Sequence, residues 1–232
     1  MTESNTPGRV LITGGGSGLG AAVADAVAEA GGVPVVLDRD VSRTPHEHAY
    51  VCDVADTPAV GETVRRVVQE LGGLEAVVTA AGIDRPGRLE DIDAVEWERV
   101  IAVNLLGTAA VVRAALPALT ASAGRVVTVA SSLGLKAVSD ATAYCASKFG
   151  VIGFSRALAA ELRGTVGVTT LVPSGMRTRF FDDREERYRP GDDARLNDPR
   201  NVAEAVLFAL RQPAGCEVRE LVICHALEES WP

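Results

Sequence analysis

The sequence predicts an α/β protein in which helices cover both faces of a parallel sheet. Short β-branched apolar runs alternate with longer alanine- and valine-rich stretches of helical composition, a pattern typical of strand–helix–strand units. A glycine-rich turn, Gly14–Gly20, lies directly between the first apolar run and the first helical stretch. Because no linker-like or repeated segment interrupts the 232 residues, we expect a single domain over residues 1–232.

Each predicted element follows from its local composition and its end signals. The predicted strands are Arg9–Thr13, Val33–Leu37, Ala49–Cys52, Leu74–Thr79, Val126–Ala130 and Val168–Val172. The predicted helices run from the glycine turn to about Ala30, over Thr57–Leu71, from Trp97 to about Leu119, and over Ala143–Leu162. A Gly-Gly pair ends the first helix, as expected for residues that readily leave helical geometry.

Charge and apolar content exclude several classes of function. The formal net charge is −8, and the acidic excess lies before residue 121, which argues against nucleic acid or an anionic membrane as partner. The four cysteines form no CxxC pair and no metal-ligand spacing, so reduced thiols and no metal site are expected. The most apolar window, Ile101–Leu119, contains Asn104, Arg113 and Pro117. With no signal-peptide pattern at the N-terminus, we expect a cytoplasmic protein without a membrane span.

The turn after the first predicted strand is the first candidate binding site. Its glycines allow positive φ and let a phosphate approach the backbone, while the N-terminus of the next helix supplies positive partial charge. A strand–turn–helix context is what makes such a motif meaningful. The alternative is a tight strand–helix connection that binds nothing. The candidate residues are Gly14, Ser17, Gly18, Leu19 and Gly20.

An acidic residue at the end of the second predicted strand indicates the cofactor. Asp38 follows Gly20 by 18 residues, where a carboxylate can accept hydrogen bonds from both ribose hydroxyls of an adenosine. The same carboxylate repels a 2′-phosphate, so NAD is preferred to NADP. Arg39 is the opposing observation, because an arginine after this strand can hold a 2′-phosphate.

Two further turns are candidates for the adenine and nicotinamide ends. Asp53-Val54 follows the third strand, and Asp53 either accepts from the adenine amino group or caps the helix Thr57–Leu71. Ala81-Gly82 follows the fourth strand, where small residues let a cofactor lie close to the backbone. Asn104 stands among apolar neighbours; it is either a helix-bending device or a functional polar group, since a buried amide is costly without hydrogen bonds.

The segment from Ser131 to Lys148 contains the groups that carbonyl and alcohol chemistry requires. Tyr144 and Lys148 are four residues apart in a helical stretch, which places them on one face. Because an ammonium lowers the pKa of a nearby phenol, the pair is suited to acid–base work. Only two of the 23 basic residues are lysines, and the two cations are not interchangeable. The alternative is an exposed tyrosine and lysine on a solvated helix face.

In this order, the motifs resemble the short-chain dehydrogenase/reductase family in its compact one-domain form. The resemblance extends from about Gly8 to Leu210. It implies a Rossmann-type doubly wound parallel sheet of about seven strands in the order 3-2-1-4-5-6-7, with helices on both faces. The motifs that carry it are TGGGSGLG, Asp38, Cys52-Asp53-Val54, Ala81-Gly82, Asn104, Ser131 and the Y-x-x-x-K pair.

The resemblance implies a role for each member of the catalytic set. Tyr144 is expected to be the acid/base, and Lys148 to lower its pKa and hold the nicotinamide ribose. Ser131 is expected to bind the substrate oxygen, and Asn104 to hold a water of the proton relay. Ser131 is preferred to the adjacent serine because the family's glycine falls three residues after the catalytic serine, at Gly134.

Around the last motif the chain both follows and departs from the family pattern. Pro173, Gly175 and Thr178 are expected to contact the cofactor, with Thr178 on the carboxamide. A serine is inserted between Pro173 and Gly175, and Ala80 stands where the family has an asparagine. The C-terminus, ELVICHALEESWP, lacks the family's aspartate–glycine–glycine ending, which bears on the subunit interface.

Residues 175–197 are expected to fold over the substrate. Their mixture of aromatic and arginine side chains indicates either an apolar pocket with an anion-binding rim or a solvated lid whose arginines pair with its own carboxylates; we favour the second. The expected function is NAD-dependent hydride transfer with a small secondary alcohol or ketone. The alternative is a catalytically silent NAD-binding regulator or scaffold on the same fold. By resemblance the assembly is a homotetramer, or a dimer given the altered C-terminus.

Overall fold

A computed structural model describes residues 6–228 of the chain. Seven parallel strands form one sheet in the order β3-β2-β1-β4-β5-β6-β7, which confirms the predicted fold class and strand order. The strands are β1 (Arg9–Thr13), β2 (Val33–Asp38), β3 (His48–Val51), β4 (Ala76–Thr79), β5 (Arg125–Val129), β6 (Gly167–Pro173) and β7 (Glu220–Ile223). The helices are α1 (Gly18–Glu29), α2 (Thr57–Leu71), α3 (Ala94–Ile101), α4 (Thr108–Ala121), α5 (Thr142–Glu161) and α6 (Pro199–Leu210).

Most predicted boundaries are correct within two residues, with one exception. The helix predicted from Trp97 begins at Ala94, because Asp93 caps it by accepting a hydrogen bond from the Val95 N–H at 2.8 Å. A carboxylate at this position satisfies an N–H that has no partner within the helix.

The sheet places a crevice where its strand order reverses. β1 pairs with β2 on one side and with β4 on the other, so the connections leave in opposite directions from this point. In open parallel sheets ligands bind at the carboxyl ends of the strands beside such a reversal. The segments that follow β1, β2, β4, β5 and β6 therefore converge at one edge.

The central strands are buried on both faces, since alternate side chains of a strand point to opposite sides. In β1, Leu11 packs into the layer formed with α2 and α4, whereas Val10 and Ile12 pack into the layer formed with α1 and α6. All three side chains are fully buried. This two-sided burial explains why the strands are continuous apolar runs in the sequence.

The long helical region before β5 is interrupted by a wider turn. α3 passes into a π-helical segment, Ala102–Gly107, which continues into α4. Within the described part of the chain, Ala94–Ala121 is the one helix long and apolar enough to cross a membrane by length and composition. Its residues Val111 and Leu119 are fully buried in the core against the sheet, as in the core helix of a globular domain. The C-terminal departure from the family falls partly outside the described residues, since 229–232 are not among them.

Candidate active site

A cavity of about 790 Å³ lies at the carboxyl ends of the strands, within the range of ligand pockets. It extends from the glycine-rich turn to the lid segment, residues 175–197. Every predicted site residue lines it except Asn104, which is fully buried outside it. The predicted residues that line the cavity are Gly14, Ser17, Gly18, Leu19, Gly20, Asp38, Arg39, Asp53, Val54, Ala81, Gly82, Ser131, Tyr144, Lys148, Pro173, Gly175 and Thr178.

A side chain does not fit at several positions of the glycine-rich turn, of which Gly14 and Gly20 pack against the backbone within the cradle. Gly14 has a φ of +70°, and a Cβ there would lie 2.8 Å from the backbone of Ala81. A Cβ on Gly20 would lie 2.2 Å from the carbonyl oxygen of Gly14. The turn leads into α1, whose N-cap residue Ser17 makes no side-chain capping bond. Because the first N–H groups of a helix attract anions, this cradle fits the pyrophosphate of a dinucleotide.

Asp38 stands at the rim of the cradle and is held by backbone groups. Its carboxylate accepts hydrogen bonds from the Gly16 N–H at 2.9 Å and from the Asp40 N–H at 3.1 Å. A carboxylate has about four acceptor sites, so two further donors can still bind. Arg39 is exposed beside it and also lines the cavity.

The helix-capping interpretation of Asp53 is wrong. The N-cap of α2 is Asp56, which accepts from the Ala59 N–H at 3.0 Å. Asp53 instead accepts from the Ala55 N–H at 3.0 Å and forms an ion pair with Arg99. These contacts use part of the acceptor capacity of the Asp53 carboxylate, which the adenine amino group would also need. Adenine binding by Asp53 stays a prediction.

Asn104 lies in the π-helical segment and braces the loop after β4. Its Oδ1 accepts from the Ile83 N–H at 2.9 Å, and its Nδ2 donates to the Ile83 carbonyl at 2.9 Å and to Ser147 Oγ at 3.0 Å. Its own carbonyl accepts from the Thr108 hydroxyl at 2.8 Å. The amide is thus satisfied by protein groups, and its role in a water relay stays a prediction.

Tyr144, Lys148 and Ser131 meet in the same cavity as the glycine turn. Both α5 side chains are buried, so the interpretation of an exposed pair is wrong. Lys148 Nζ lies 5.6 Å from the centroid of the Tyr144 ring and donates to the Val129 carbonyl at 2.9 Å. The Tyr144 side chain is hydrogen-bonded to that of Ser131. Phenol, hydroxyl and amine therefore form one cluster.

Without a bound cofactor or substrate, burial has the largest effect on the pKa values of Tyr144 and Lys148. Desolvation raises the pKa of Tyr144 to about 12, against the lowering effect of the Ser131 hydrogen bond. Desolvation also lowers the pKa of Lys148 to about 8, against the raising effect of Asp84. The expectation that Lys148 leaves the phenol with a lowered pKa is therefore not met here, because removing a charged group from water outweighs a neighbouring charge at this depth.

The start of the lid segment faces the glycine turn. Thr178 Oγ1 accepts from the Phe180 N–H at 3.3 Å, and the Thr178 side chain lies 3.5 Å from the position of a Cβ on Gly18. A Cβ on Gly175 would lie 2.7 Å from Leu196 Cδ2. The inserted serine thus does not move Gly175 or Thr178 out of the cavity.

The arginines of the lid have two kinds of partner. Arg179 pairs with Asp182 at 3.4 Å and Arg187 with Glu185 at 2.9 Å, and all four side chains are exposed. These are the pairs within the lid that we favoured. The prediction is wrong for Arg184, which leaves the lid and pairs with a residue of the loop after β4.

Sequence reasoning missed several charged residues of the cavity, and Asp84 and Arg99 are the two that form ion pairs with other cavity residues. Asp84 lies five residues after the end of β4, and the rule that ligand-binding residues follow the carboxyl ends of parallel strands could have drawn attention to it. Arg99, on α3, also lines the cavity and reaches Asp53. A charged residue on a helix gives no local signal that distinguishes it from a solvated one.

One cavity combines a turn that can bind phosphate with a cluster that can exchange a proton. The glycine cradle, the acidic rim and the phenol–hydroxyl–amine cluster all line it. This combination is the one expected of a nicotinamide-dependent dehydrogenase or reductase. Within residues 6–228 no group of three or more His, Cys, Asp or Glu side chains is arranged to hold a metal ion.

Comparison with known proteins identifies the family. A family model described as short chain dehydrogenase matches residues 8–189, and the chain belongs to this family, whose members bind a nicotinamide cofactor. It is 33% identical over 224 residues to an uncharacterized oxidoreductase of Staphylococcus aureus strain MW2, with 92% of this chain and 95% of that protein covered.

Solved structures with the same fold include two archaeal enzymes. An alcohol dehydrogenase from Thermococcus sibiricus, complexed with 5-hydroxy-NADP, is 25% identical with a TM-score of 0.86 and covers 96% of this chain and 98% of its own. The ligand-free aldohexose dehydrogenase of Thermoplasma acidophilum, at 24% identity, has a TM-score of 0.87 and covers 95% of this chain and 93% of its own. The second likeness concerns the fold alone.

Proposed function

We propose that the protein is an NAD(H)-dependent oxidoreductase that transfers a hydride between the nicotinamide and a secondary alcohol or ketone, with Tyr144 as the acid/base. The observation that carries this proposal is the meeting of Tyr144, Ser131 and Lys148 in the cavity that begins at the glycine turn. A bound nicotinamide supplies the hydride chemistry, whereas the protein supplies position, donors and protons.

The proposed chemistry follows from what each side chain can donate. Reduction of a carbonyl builds negative charge on its oxygen, and preorganised donors aimed at that oxygen lower the barrier. The Ser131 hydroxyl and the Tyr144 phenol form a hydrogen bond with each other when no substrate is bound. Each has an O–H group that can donate to the substrate oxygen. Tyr144 gives its proton to the substrate oxygen in reduction and takes it back in oxidation. The Lys148 ammonium stabilises the phenolate left behind, and Asn104 holds the segment that lines the cavity beside Lys148.

A panel of ketones assayed with NADH tests the activity. Wild-type protein should oxidise NADH with at least one ketone class, and Tyr144→Phe should lose about 10²–10⁴-fold in turnover, the usual contribution of a general acid. Affinity for NADH should be unchanged, because the lost hydroxyl acts on the substrate. If NADH binds but no ketone or alcohol in the panel reacts, the silent scaffold becomes the better account. If Tyr144→Phe keeps full turnover, the assigned acid/base is wrong.

We propose NAD rather than NADP as the cofactor. The Asp38 carboxylate at the rim favours ribose hydroxyls and disfavours a phosphate, while exposed Arg39 beside it is the group that favours NADP. The Thermococcus sibiricus structure was complexed with 5-hydroxy-NADP, so a similar fold also accommodates an NADP derivative. Rates with NADH and NADPH at limiting concentration decide the point, and a preference for NADPH would overturn the role given to Asp38.

We also propose a homotetramer, with a dimer as the fallback. Leu106 and Phe149, on the helical region before β5 and on α5, are 52% and 46% exposed. Large apolar side chains left at the surface of these two helices favour a helix-to-helix contact between copies. Sedimentation at micromolar concentration should give a tetramer or a dimer, and a monomer would contradict both.

A further inference from the structure

The lid is tied to the body of the protein by an ion pair between residues 100 positions apart. Arg184 Nη2 lies 2.7 Å from Asp84 Oδ2. The Asp84 side chain is 3% exposed and that of Arg184 is 16% exposed, which makes this the most buried of the ion pairs among residues 6–228. A buried pair recovers little net stability against its desolvation cost. Its presence beside the catalytic cluster therefore calls for a function other than stabilising the fold.

Contacts run without a break from this ion pair to the catalytic phenol. The Arg184 guanidinium lies 5.2 Å from the ring centroid of Phe180 and 4.6 Å from that of Phe181. The Phe180 ring in turn lies 5.8 Å from the Tyr144 ring, centroid to centroid. Cation–π contacts of this kind fix the position of both partners. The Asp84–Arg184 pair thus holds the first turn of the lid against the acid/base.

The pair also controls the charge beside the phenol. Asp84 raises the pKa of Tyr144 and Arg184 lowers it, after the larger raising effect of burial. The pKa of Asp84 itself is raised by burial, against Arg184, the backbone, Arg85 and Lys148. The two charges therefore act on the pKa of Tyr144 in opposite directions.

The ion pair is incompletely satisfied, as suits a contact that opens. Asp84 Oδ1 and Arg184 Nε are buried and have no hydrogen-bond partner among the described residues. A buried donor or acceptor without a partner weakens the state that contains it. Opening the ion pair would expose both atoms to water, which lowers the cost of separating the two side chains.

We propose that Asp84 and Arg184 are positioning residues of the reaction: their ion pair closes the lid onto Tyr144 and neutralises the carboxylate beside it. This inference rests on the proposed function, in which Tyr144 is the acid/base. It assigns the two residues different effects on the phenol and the same effect on the lid. That difference makes the proposal testable.

The kinetic experiment uses Asp84→Asn, Arg184→Gln, their double variant, and Arg187→Gln as the matched control. Arg187 is a lid arginine whose pair with Glu185 is exposed, so its loss should change neither KM nor the pH profile. Both single variants should raise KM for the reactive ketone about tenfold or more, because each opens the lid. The NADH Kd should stay at the wild-type value, since the cofactor side is untouched.

The pH profile of alcohol oxidation separates positioning from a merely structural role. The titratable and charged groups around the phenol are Asp84 in the loop after β4, Lys148 and Cys145 on α5, and Arg184 in the lid. The apparent pKa of kcat/KM should rise by about half a unit or more in Arg184→Gln and fall by about as much in Asp84→Asn. The double variant should return it toward wild type while KM remains high. Shifts in the same direction, or none beyond the control, would overturn the proposal.

A second measurement decides the lid contact independently of any activity. Chymotrypsin cleaves after Phe180, Phe181 and Tyr188, which none of these variants replaces. Opening of the lid should raise the cleavage rate about fivefold or more in both single variants and not in the control. Thermal unfolding checks that the variants stay folded. If no ketone reacts with the wild type, the proposed function fails, but this digestion still reports whether the Asp84–Arg184 ion pair closes the lid. Unchanged cleavage in the folded single variants would show that the ion pair does not close the lid.

Discussion

The cofactor side and the substrate side of the cavity are built by different means. On the cofactor side, apart from the ion pair between Asp53 and Arg99, a backbone N–H makes each contact: the Gly16 N–H donates to Asp38, and the Ala81 N–H donates to Thr13 Oγ1 at 3.1 Å. On the substrate side, side chains bind side chains, as where Arg184 reaches Asp84. The cofactor side depends on glycines at positions where a side chain would not fit, whereas the substrate side depends on long side chains held in fixed rotamers.

The difference indicates which side can diverge between related proteins. A backbone cradle recognises a pyrophosphate, which is the same in every dinucleotide, so its geometry has one solution. Side chains from a lid recognise a substrate, which differs between enzymes. Changes on the cofactor side should therefore be severe and general, whereas changes on the substrate side should be selective.

The largest effect is expected from a methyl group added to the cradle. In Gly20→Ala the new Cβ would lie 2.2 Å from the Gly14 carbonyl oxygen, so the turn itself has to move. Because a displacement of about 1 Å in a binding turn disrupts its hydrogen-bond geometry, NADH affinity should fall about 100-fold or more, or about 3 kcal/mol. Fluorescence titration with NADH measures it. Affinity close to that of wild type would break the contrast between the two sides.

Gly61 provides the matched control for this substitution. It lies in α2, and a Cβ there would meet only the far end of the Arg65 side chain, at 3.6 Å. Gly61→Ala should leave NADH affinity unchanged and raise the free energy of unfolding by about 0.5–1 kcal/mol, the helix propensity of alanine over glycine. Thermal unfolding of both variants separates loss of the cradle from loss of the fold.

Lys148 is expected to act on both the cofactor and the acid/base. Its burial should make the free energy of unfolding depend on pH. Its pKa is lowered by burial from 10.5 to about 8, so between these values the unfolded chain binds the proton and the folded chain does not. The free energy of unfolding with Lys148 in place should then rise with pH through that window, relative to Lys148→Met. Between about pH 8 and pH 10 the gain should be on the order of 2 kcal/mol, at about 1.4 kcal/mol per unit.

Urea denaturation of both proteins at the two pH values gives the measurement. Cys52 also titrates in or above this range with a raised pKa, but it is present in the two proteins and cancels in the difference. Tyr144 is a neighbour of Lys148 and does not cancel in the same way, so both proteins carry Tyr144→Phe in this comparison. A difference that does not change between the two pH values would show that the amine is not held in a desolvated site.

Local signals predicted the glycine turn and the regular elements well and the contacts of the lid poorly. The glycine turn and the helix Thr57–Leu71 were predictable because composition and end signals within a few residues determine them. Asp53 was open to a wrong capping interpretation because Asp56 stands three residues later, and only the backbone decides which of two such carboxylates is the cap. The pairing of Arg184 with Asp84 was not predictable, because no local pattern reports a contact across 100 residues.

The protonation of the catalytic cluster was the other limit of sequence reasoning. The spacing of Tyr144 and Lys148 correctly predicts that they share a helix face. It does not predict how deeply the face is buried, and here depth determines the direction in which both pKa values move. Burial is a property of the packed sheet and helices, so only the structure supplies it.

The smallest effect is expected from a substitution of Asp38, whose side chain lies on the cofactor side, where most contacts use backbone groups. In Asp38→Asn the charge is lost, and the amide nitrogen cannot accept from the Gly16 or Asp40 N–H that the carboxylate now binds. NADH affinity should fall about tenfold, or about 1.4 kcal/mol, while NADPH affinity should hold or improve because repulsion of the 2′-phosphate is gone. Asp40→Asn, at the exposed neighbour, is the control and should change neither value. Titrations with both cofactors distinguish two roles: a fall in NADH affinity alone means that Asp38 selects the cofactor, whereas an equal fall in both means that it only braces the glycine turn, and the cofactor side would then consist of backbone recognition throughout.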